Sequence, residues 1–262
     1  MSEFKAHGSF CWTDLISTNV SESRSFYANV FGWHFQEVRA GDESENVPPY
    51  TMGYFGEKEV TGVVAPDFEV PNSHWATYFY TEDLDASIEK AKELGATTHL
   101  DKKVIPEWGS LAVLEDTSGG VFSLWNCSRG GMQKPYTDGT FGRFCWTELM
   151  TTNVEAAGKF YCDMFGWTPE HMTNADGGDY FIFKNGENMN CGMMEINPKE
   201  MGEMTSHWLN YVAVDSASQT LKRVEDNGGK KVWGTQYMEN VGHLAVFIDP
   251  HGAAVGIVGE VE

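Results

Sequence analysis

Apolar and polar residues alternate along 10–17, with aromatics among the apolar set, the period-two pattern of a half-buried strand. The period then lengthens to that of a helix: Val20, Phe26, Tyr27, Val30 and Phe31 form one stripe. Asn19 offers a turn before it, Ser21 or Ser23 a cap, and Gly32 a stop. Strands are predicted over 33–38, 50–55 and 59–65, with a polar, two-proline loop over 40–49 and a turn at Gly56-Glu57. The order β-α-β-β-β then recurs. It consists of a strand over 75–81, a helix over 85–94 ending at Gly95, and strands over 97–105, 110–115 and 121–126. The second half repeats the plan with strands over 143–150, 167–172, 179–185 and 190–196 around a helix over 155–165. After a methionine-bearing loop over 198–205 come a strand over 207–214, a helix over 217–227, and strands over 230–238, 243–248 and 254–258.

The two halves are copies. Residues 8–33 and 142–167 are identical at 14 of 26 positions at a fixed offset of 134. Ser73-His74-Trp75 returns as Ser206-His207-Trp208, and Asp116 and Gly119 return as Asp249 and Gly252. Self-similarity on this scale marks an internal duplication. The expected organisation is a first module over 1–130, a linker over 131–140 and a second module over 141–262, each long enough for its own core. The formal net charge is −20, with 9 basic and 20 acidic side chains up to residue 131 and 9 and 18 beyond it. Acidity spread over both halves, with no basic stripe, disfavours nucleic acid and anionic membranes as partners. Five cysteines, an odd number with no C-x-x-C, read as reduced thiols. With no apolar leader and no run of 18 apolar residues, the chain is expected to be cytoplasmic and not membrane-spanning.

The string Phe10-Cys11-Trp12-Thr13-Asp14-Leu15, the Phe26-Tyr27 and Phe31-Gly32-Trp33 pairs, their copies at 144–149 and 160–167, and the Asp249-Pro250-His251-Gly252 turn together resemble the vicinal oxygen chelate superfamily. That group holds glyoxalase I, extradiol dioxygenases and the bleomycin and fosfomycin resistance proteins. The resemblance covers nearly the whole chain and implies an α+β fold. Four βαβββ units would form two glyoxalase/bleomycin-resistance-type modules with cupped mixed sheets. It also implies, for enzymatic members, a divalent metal held by side chains of the first and fourth strands of each unit. Here the aligned positions carry Trp12 and Trp146, Ala76 and Leu209, and Ser123 and Gly256, none of them a good ligand. No metal or other cofactor is therefore expected; a divalent metal is the alternative.

Period two places Trp12, Asp14 and Ile16 on one strand face, and His74, Ala76, Tyr78 and Tyr80 on another. Asp14 with His74, and Glu148 with His207 and Tyr211, are thereby candidates for acid–base work or for polar contact with a ligand between the walls of Trp12 and Trp146. The competing reading is that they are inherited polar groups of the core. The ligand-binding set expected is Trp12, Asp14, His74, Tyr78, Trp146, Glu148, His207 and Tyr211, with Asp14, His74, Glu148 and His207 as the catalytic candidates. The function expected is metal-independent sequestration of a small, partly apolar or aromatic molecule. The alternative is a glyoxalase-like lyase or related oxidoreductase acting on a small carbonyl or oxygenated substrate, and a third reading is an interaction module with vestigial cups. The partner expected is a small molecule, with the chain either a monomer whose modules pair internally or a homodimer.

Overall fold

A computed structural model describes residues 6–39, 50–67, 69–129, 137, 139–173 and 178–261. The loop expected over 40–49 and most of the linker expected over 131–140 lie outside the described residues. The first half contains β1 (Phe10–Ile16), α1 (Val20–Phe31), β2 (His34–Val38), β3 (Tyr50–Phe55), β4 (Lys58–Val64), β5 (His74–Tyr80), α2 (Leu84–Glu93), β6 (Thr97–Ile105), β7 (Gly109–Glu115) and β8 (Val121–Cys127). The second contains β9 (Phe144–Thr151), α3 (Val154–Phe165), β10 (Thr168–Thr173), β11 (Asp179–Asn185), β12 (Asn188–Glu195), α4 (Pro198–Met201), β13 (His207–Ser216), α5 (Ala217–Asp226), β14 (Lys230–Met238), β15 (Gly242–Ile248) and β16 (Ala254–Val261). This is the expected α+β plan of four βαβββ units, with one short helix, α4, inside the loop expected over 198–205. Among the described residues no helix is long and apolar enough to cross a membrane.

The strands hydrogen-bond in the orders β2-β3-β4-β1-β5-β8-β7-β6 and β10-β11-β12-β9-β13-β16-β15-β14, so each half of the sequence makes one mixed, eight-stranded sheet. Within each βαβββ unit the first strand runs parallel to the last, as β1 does to β4 and β9 to β12, because the helix carries the chain across. Compactness follows a different division from the expected one at 131–140. One unit combines the described residues within 1–12, 77–136 and 146–208, and the other those within 13–76, 137–145 and 209–262. Each unit therefore takes one βαβββ repeat from either half.

The reason lies in the buried faces of the helices. In one unit Tyr27 of α1 donates its O–H to Asp249 (3.1 Å) and accepts from Trp75 Nε1 (3.2 Å), while Arg223 of α5 donates to the Val30 carbonyl (2.9 Å). In the other, Tyr161 of α3 donates to Asp116 (2.8 Å) and accepts from Trp208 Nε1 (3.1 Å). Asp116 and Asp249 occupy the duplicated turns before β8 and β16, and each also receives turn backbone N–H groups. A buried tyrosine thus ties the helix of one repeat to the terminal turn of another. Around these pins the aromatics close-pack: Phe31 on Trp33 (ring centroids 4.8 Å apart) and Trp75 on Phe144 (5.2 Å) in one unit, Phe165 on Trp167 (4.8 Å) and Phe79 on Trp208 (4.9 Å) in the other.

The helix boundaries follow their caps. Asn19, rather than Ser21 or Ser23, caps α1, its Oδ1 accepting from Glu22 N at 3.2 Å. Ser23 instead points inward and shares a hydrogen bond with Ser17 (2.8 Å). Asn153 caps α3 in the same way. Both helices stop at a glycine in the left-handed region, Gly32 (φ 73°) and Gly166 (φ 71°), as a Cβ-free residue permits.

Candidate functional site

On β1 the side chains alternate between Thr13 and Leu15, fully buried in the core, and Trp12, Asp14 and Ile16 on the other face. On β9, Thr147 and Leu149 go to the core, and Trp146, Glu148 and Met150 to the other face. That second face carries the two duplicated carboxylates, which are nonetheless almost covered: Asp14 is 8% exposed and Glu148 7%. Buried carboxylates need donors. Each obtains one from the third strand of its own repeat. Tyr50 of β3 donates its O–H to Asp14 Oδ1. Tyr180 of β11 donates to Glu148 Oε2 at 3.0 Å and in turn accepts from Trp146 Nε1 at 2.9 Å.

A glycine in the fourth strand makes room for each pair. The parallel register sets Gly62 opposite Asp14 and Gly192 opposite Glu148. A Cβ at Gly62 would lie 1.7 Å from the Tyr50 hydroxyl and 2.2 Å from Asp14 Oδ1; one at Gly192 would lie 1.9 Å from the Tyr180 hydroxyl. Burial, and after it the Glu148 charge, push the Tyr180 phenol well above its ordinary range, so it stays protonated near neutrality and serves as an O–H donor.

The histidines do not join these carboxylates. His74 is exposed at the first position of β5, its Nδ1 facing the Asn72 carbonyl at 3.5 Å. His207 opens β13, with Nδ1 at 2.8 Å from the Thr205 carbonyl. A residue at a strand's first position is held by the preceding turn, whereas Asp14 and Glu148 sit past the middle of theirs, so the expected Asp14–His74 and Glu148–His207 pairs do not form. Tyr78 and Tyr211 are buried, next to Ser123 and Gly256 respectively across the parallel β5–β8 and β13–β16 ladders. The Tyr211 ring covers Gly256, where a Cβ would come within 2.2 Å of it. Trp12 and Trp146 are half-buried. A shallow recess of about 270 Å³, lined by Thr152, Asn153, Glu155, Asp179 and Glu195 among others, also includes Phe181, which alternates with Tyr180 and so faces the other side of β11.

Tyr50, Tyr180, Gly62 and Gly192 were not anticipated from the sequence. A signal for them was present: the glycine follows the tyrosine by 12 residues in both halves, although the stretch from carboxylate to tyrosine differs, 36 residues in one and 32 in the other.

The profile of the glyoxalase/bleomycin resistance protein/dioxygenase superfamily matches residues 143–257, and that of a glyoxalase-like domain matches residues 13–125. The chain belongs to the vicinal oxygen chelate superfamily. Across 98% of its length this superfamily member is 29% identical to CFP32 of Mycobacterium tuberculosis and Mycobacterium bovis, whose glyoxylase name is provisional, over 96% of that protein. It is 29% identical over 127 residues to the anthracycline biosynthesis protein DnrV of Streptomyces peucetius, covering 44% of this chain and 46% of DnrV. In fold it is similar to the Mn(II)-bound glyoxalase of Novosphingobium aromaticivorans (TM-score 0.64, 13% identity, 99% of this chain and 84% of that one). It is similar likewise to homoprotocatechuate 2,3-dioxygenase of Arthrobacter globiformis (TM-score 0.63, 15% identity, 98% and 80%).

The metal that the superfamily implies does not fit the residues present. The positions that the resemblance sets against the family's ligands hold tryptophan, alanine, leucine, serine and glycine, and Tyr211 fills the space over Gly256. Among the described residues no group of three or more His, Cys, Asp or Glu is placed to hold an ion. The carboxylates on this face are engaged by tyrosines instead.

Proposed function

We propose that this superfamily member binds a small, partly aromatic or apolar molecule without a metal, and that Tyr50–Asp14 and Tyr180–Glu148 are the polar ends of its two sites. One observation carries the reading: on the same face of both sheets, a nearly covered carboxylate is held by a tyrosine over a glycine. The half-buried Trp146, bonded to Tyr180 beside Glu148, supplies aromatic wall, the usual lining of a small-molecule site. The likeness to DnrV, named an anthracycline biosynthesis protein, supports a small-molecule ligand.

The test is calorimetric titration of the full chain with a panel of small aromatic molecules, with and without a chelator. Saturable binding that chelation leaves unchanged is expected, with no product formed. A second reading, a glyoxalase-like lyase, draws support from the tyrosine proton beside each carboxylate, a pairing suited to proton transfer. Divalent-metal-dependent turnover of a thiol–aldehyde adduct, lost on chelation, would replace the first reading with the second.

A further inference from the structure

Residues 7–10 form a strap fastened within one compact unit. Gly8 N donates to the Tyr80 carbonyl (2.8 Å) and Tyr80 N to the Ser9 carbonyl (2.9 Å), at the end of β5. Trp167 Nε1 (3.1 Å) and Asn190 Nδ2 (3.0 Å) both donate to the Gly8 carbonyl, and Phe10 N donates to Asn190 Oδ1 (3.1 Å). Asn185 Nδ2 donates to the His7 carbonyl at 2.8 Å. The two asparagines lie on β11 and β12, the strands that carry Tyr180 and Gly192, so the strap is tied to strands of the candidate site. The fit is close: a Cβ at Gly8 would lie 2.8 Å from Phe165 Cβ.

The duplication supplies an internal comparison. Residues 141–144 are the copy of 7–10 at the offset of 134, and they make the equivalent strap in the other unit. Gly142 N donates to the Ala213 carbonyl (2.7 Å), Ala213 N to the Arg143 carbonyl (2.8 Å), and Trp33 Nε1 to the Gly142 carbonyl (2.6 Å). The two straps differ at their first residue, which is His7 in one and Phe141 in the other. The fasteners differ as well. Counted back from Gly192 and Gly62, Asn185 and Asn190 stand where the first half has Phe55 and Val60.

The His7 imidazole is half-buried and meets the Phe165 ring edge to face, with centroids 5.8 Å apart. Burial holds it below the ordinary histidine range. Two charged groups act on it besides: Glu82, just before α2, opposes the effect of burial, and Lys90, on α2, adds to it. An imidazolium is better hydrated in the undocked strap than in the docked one. Docking is therefore complete above about pH 6.5 and weakens as pH falls below it. Phe141 takes up no proton, so its strap lacks this dependence.

We propose that residues 7–10 are an acid-released clasp: protonation of His7 undocks them from Phe165, Asn185 and Asn190, while the strap at Phe141 stays closed.

The test is amide hydrogen exchange of the full chain, read by mass spectrometry between about pH 7.5 and about pH 5 and corrected for the intrinsic pH dependence of exchange. The amides of Gly8, Ser9, Phe10 and Tyr80 are expected to lose protection at least about threefold on acidification, and those of Gly142, Arg143 and Ala213 to change by less. His7→Phe copies the second strap, and His7→Gln keeps a polar side chain that does not titrate. Each should hold the protection of the first strap constant over the same range, and the glutamine variant serves where the larger ring impairs folding. No loss at residues 8–10, an equal loss in both straps, or a loss that persists in either folded variant would each overturn the proposal.

Discussion

Gly192→Ala tests whether the Tyr180–Glu148 pair is as tightly fitted as its geometry implies. The added methyl would lie 1.9 Å from the Tyr180 hydroxyl, 2.6 Å from its Cζ and 3.1 Å from Trp146 Nε1. Carbon and oxygen not bonded to each other need more than 3 Å, so the phenol must retreat by over about 1 Å. It is held by the hydrogen bonds to Trp146 and Glu148, and the retreat breaks or stretches both. Overpacking a fitted site costs about 1–3 kcal/mol, and losing a hydrogen bond to a charged group about 1.5–3 kcal/mol. The two overlap, since movement relieves one by incurring the other, and the expected loss is about 2–4 kcal/mol. Gly158→Ala, in α3 of the same compact unit, is the internal control. Its methyl would meet only Met193 Cε, at 3.4 Å, and alanine favours a helix interior, so a gain of about 0.5–1 kcal/mol is expected. Urea unfolding followed by tryptophan fluorescence measures both on one scale. A loss under about 1 kcal/mol for Gly192→Ala, or a larger loss for Gly158→Ala, would refute the idea that the tyrosine is locked over the glycine.

Tyr161→Phe leaves Asp116 without its 2.8 Å phenol donor and Trp208 without its acceptor, and Tyr27→Phe does the same to Asp249 and Trp75; each should cost about 1–3 kcal/mol in the same urea assay. Burial raises the phenols of Tyr27, Tyr161 and Tyr180 above the usual tyrosine value. The folded chain therefore holds protons that the unfolded chain releases above about pH 10, and stability, full below that point, should fall as pH rises by about 1.4 kcal/mol per unit for each such tyrosine. Absorbance at alkaline pH should show these three ionising only on unfolding, and early ionisation would contradict their burial. His74→Ala and His207→Ala, at the mouths of β5 and β13, should change small-molecule affinity less than about threefold, because neither ring reaches the carboxylate on its own half's sheet face. A loss of tenfold or more with the fold intact would restore the histidines to the site.

The strand and helix plan was legible because each repeat states it twice, once in its period and once in its copy. Val20 to Phe31 shows helical spacing, and Gly32 marks the stop in both the sequence and the structure. The site was half legible. Alternation along β1 and β9 correctly placed Asp14 with Trp12 and Glu148 with Trp146, because the side-chain period of a strand is fixed. It was silent about partners, which depend on the register of neighbouring strands. His74 and His207 were attractive as duplicated, titratable residues, yet each sits at a strand start where its ring meets the preceding turn. Tyr50 and Tyr180 follow their carboxylates at different spacings, so their equivalence shows only when counted back from Gly62 and Gly192. The compact units were hidden for a related reason. Periodicity reveals which face of α1 is apolar but not that Tyr27 on that face reaches Asp249, a residue 222 positions away.

The position of the Tyr–carboxylate pairs argues that they are more than inherited core polarity. The duplicated Tyr–Asp pins at Asp116 and Asp249 have evident structural work, joining a helix to a turn inside each core. The pairs at Asp14 and Glu148 lie on the opposite face of the sheet, where burying a carboxylate costs several kcal/mol unless donors offset it. An apolar pair of similar volume would fill that face more cheaply. Both halves instead keep the tyrosine, the acid and the glycine that admits them, while the acid itself changes from Asp14 to Glu148. Carboxylates one methylene apart place their oxygens differently, and beside the longer one Trp146 completes a relay to the tyrosine. If the pairs served only to fill space, Glu148→Leu with Tyr180→Phe would be neutral or stabilising and would leave binding untouched. If they are the polar ends of two ligand sites, that double variant should unfold at equal or higher urea and weaken small-molecule binding, separating the cost of the polar pair from its use.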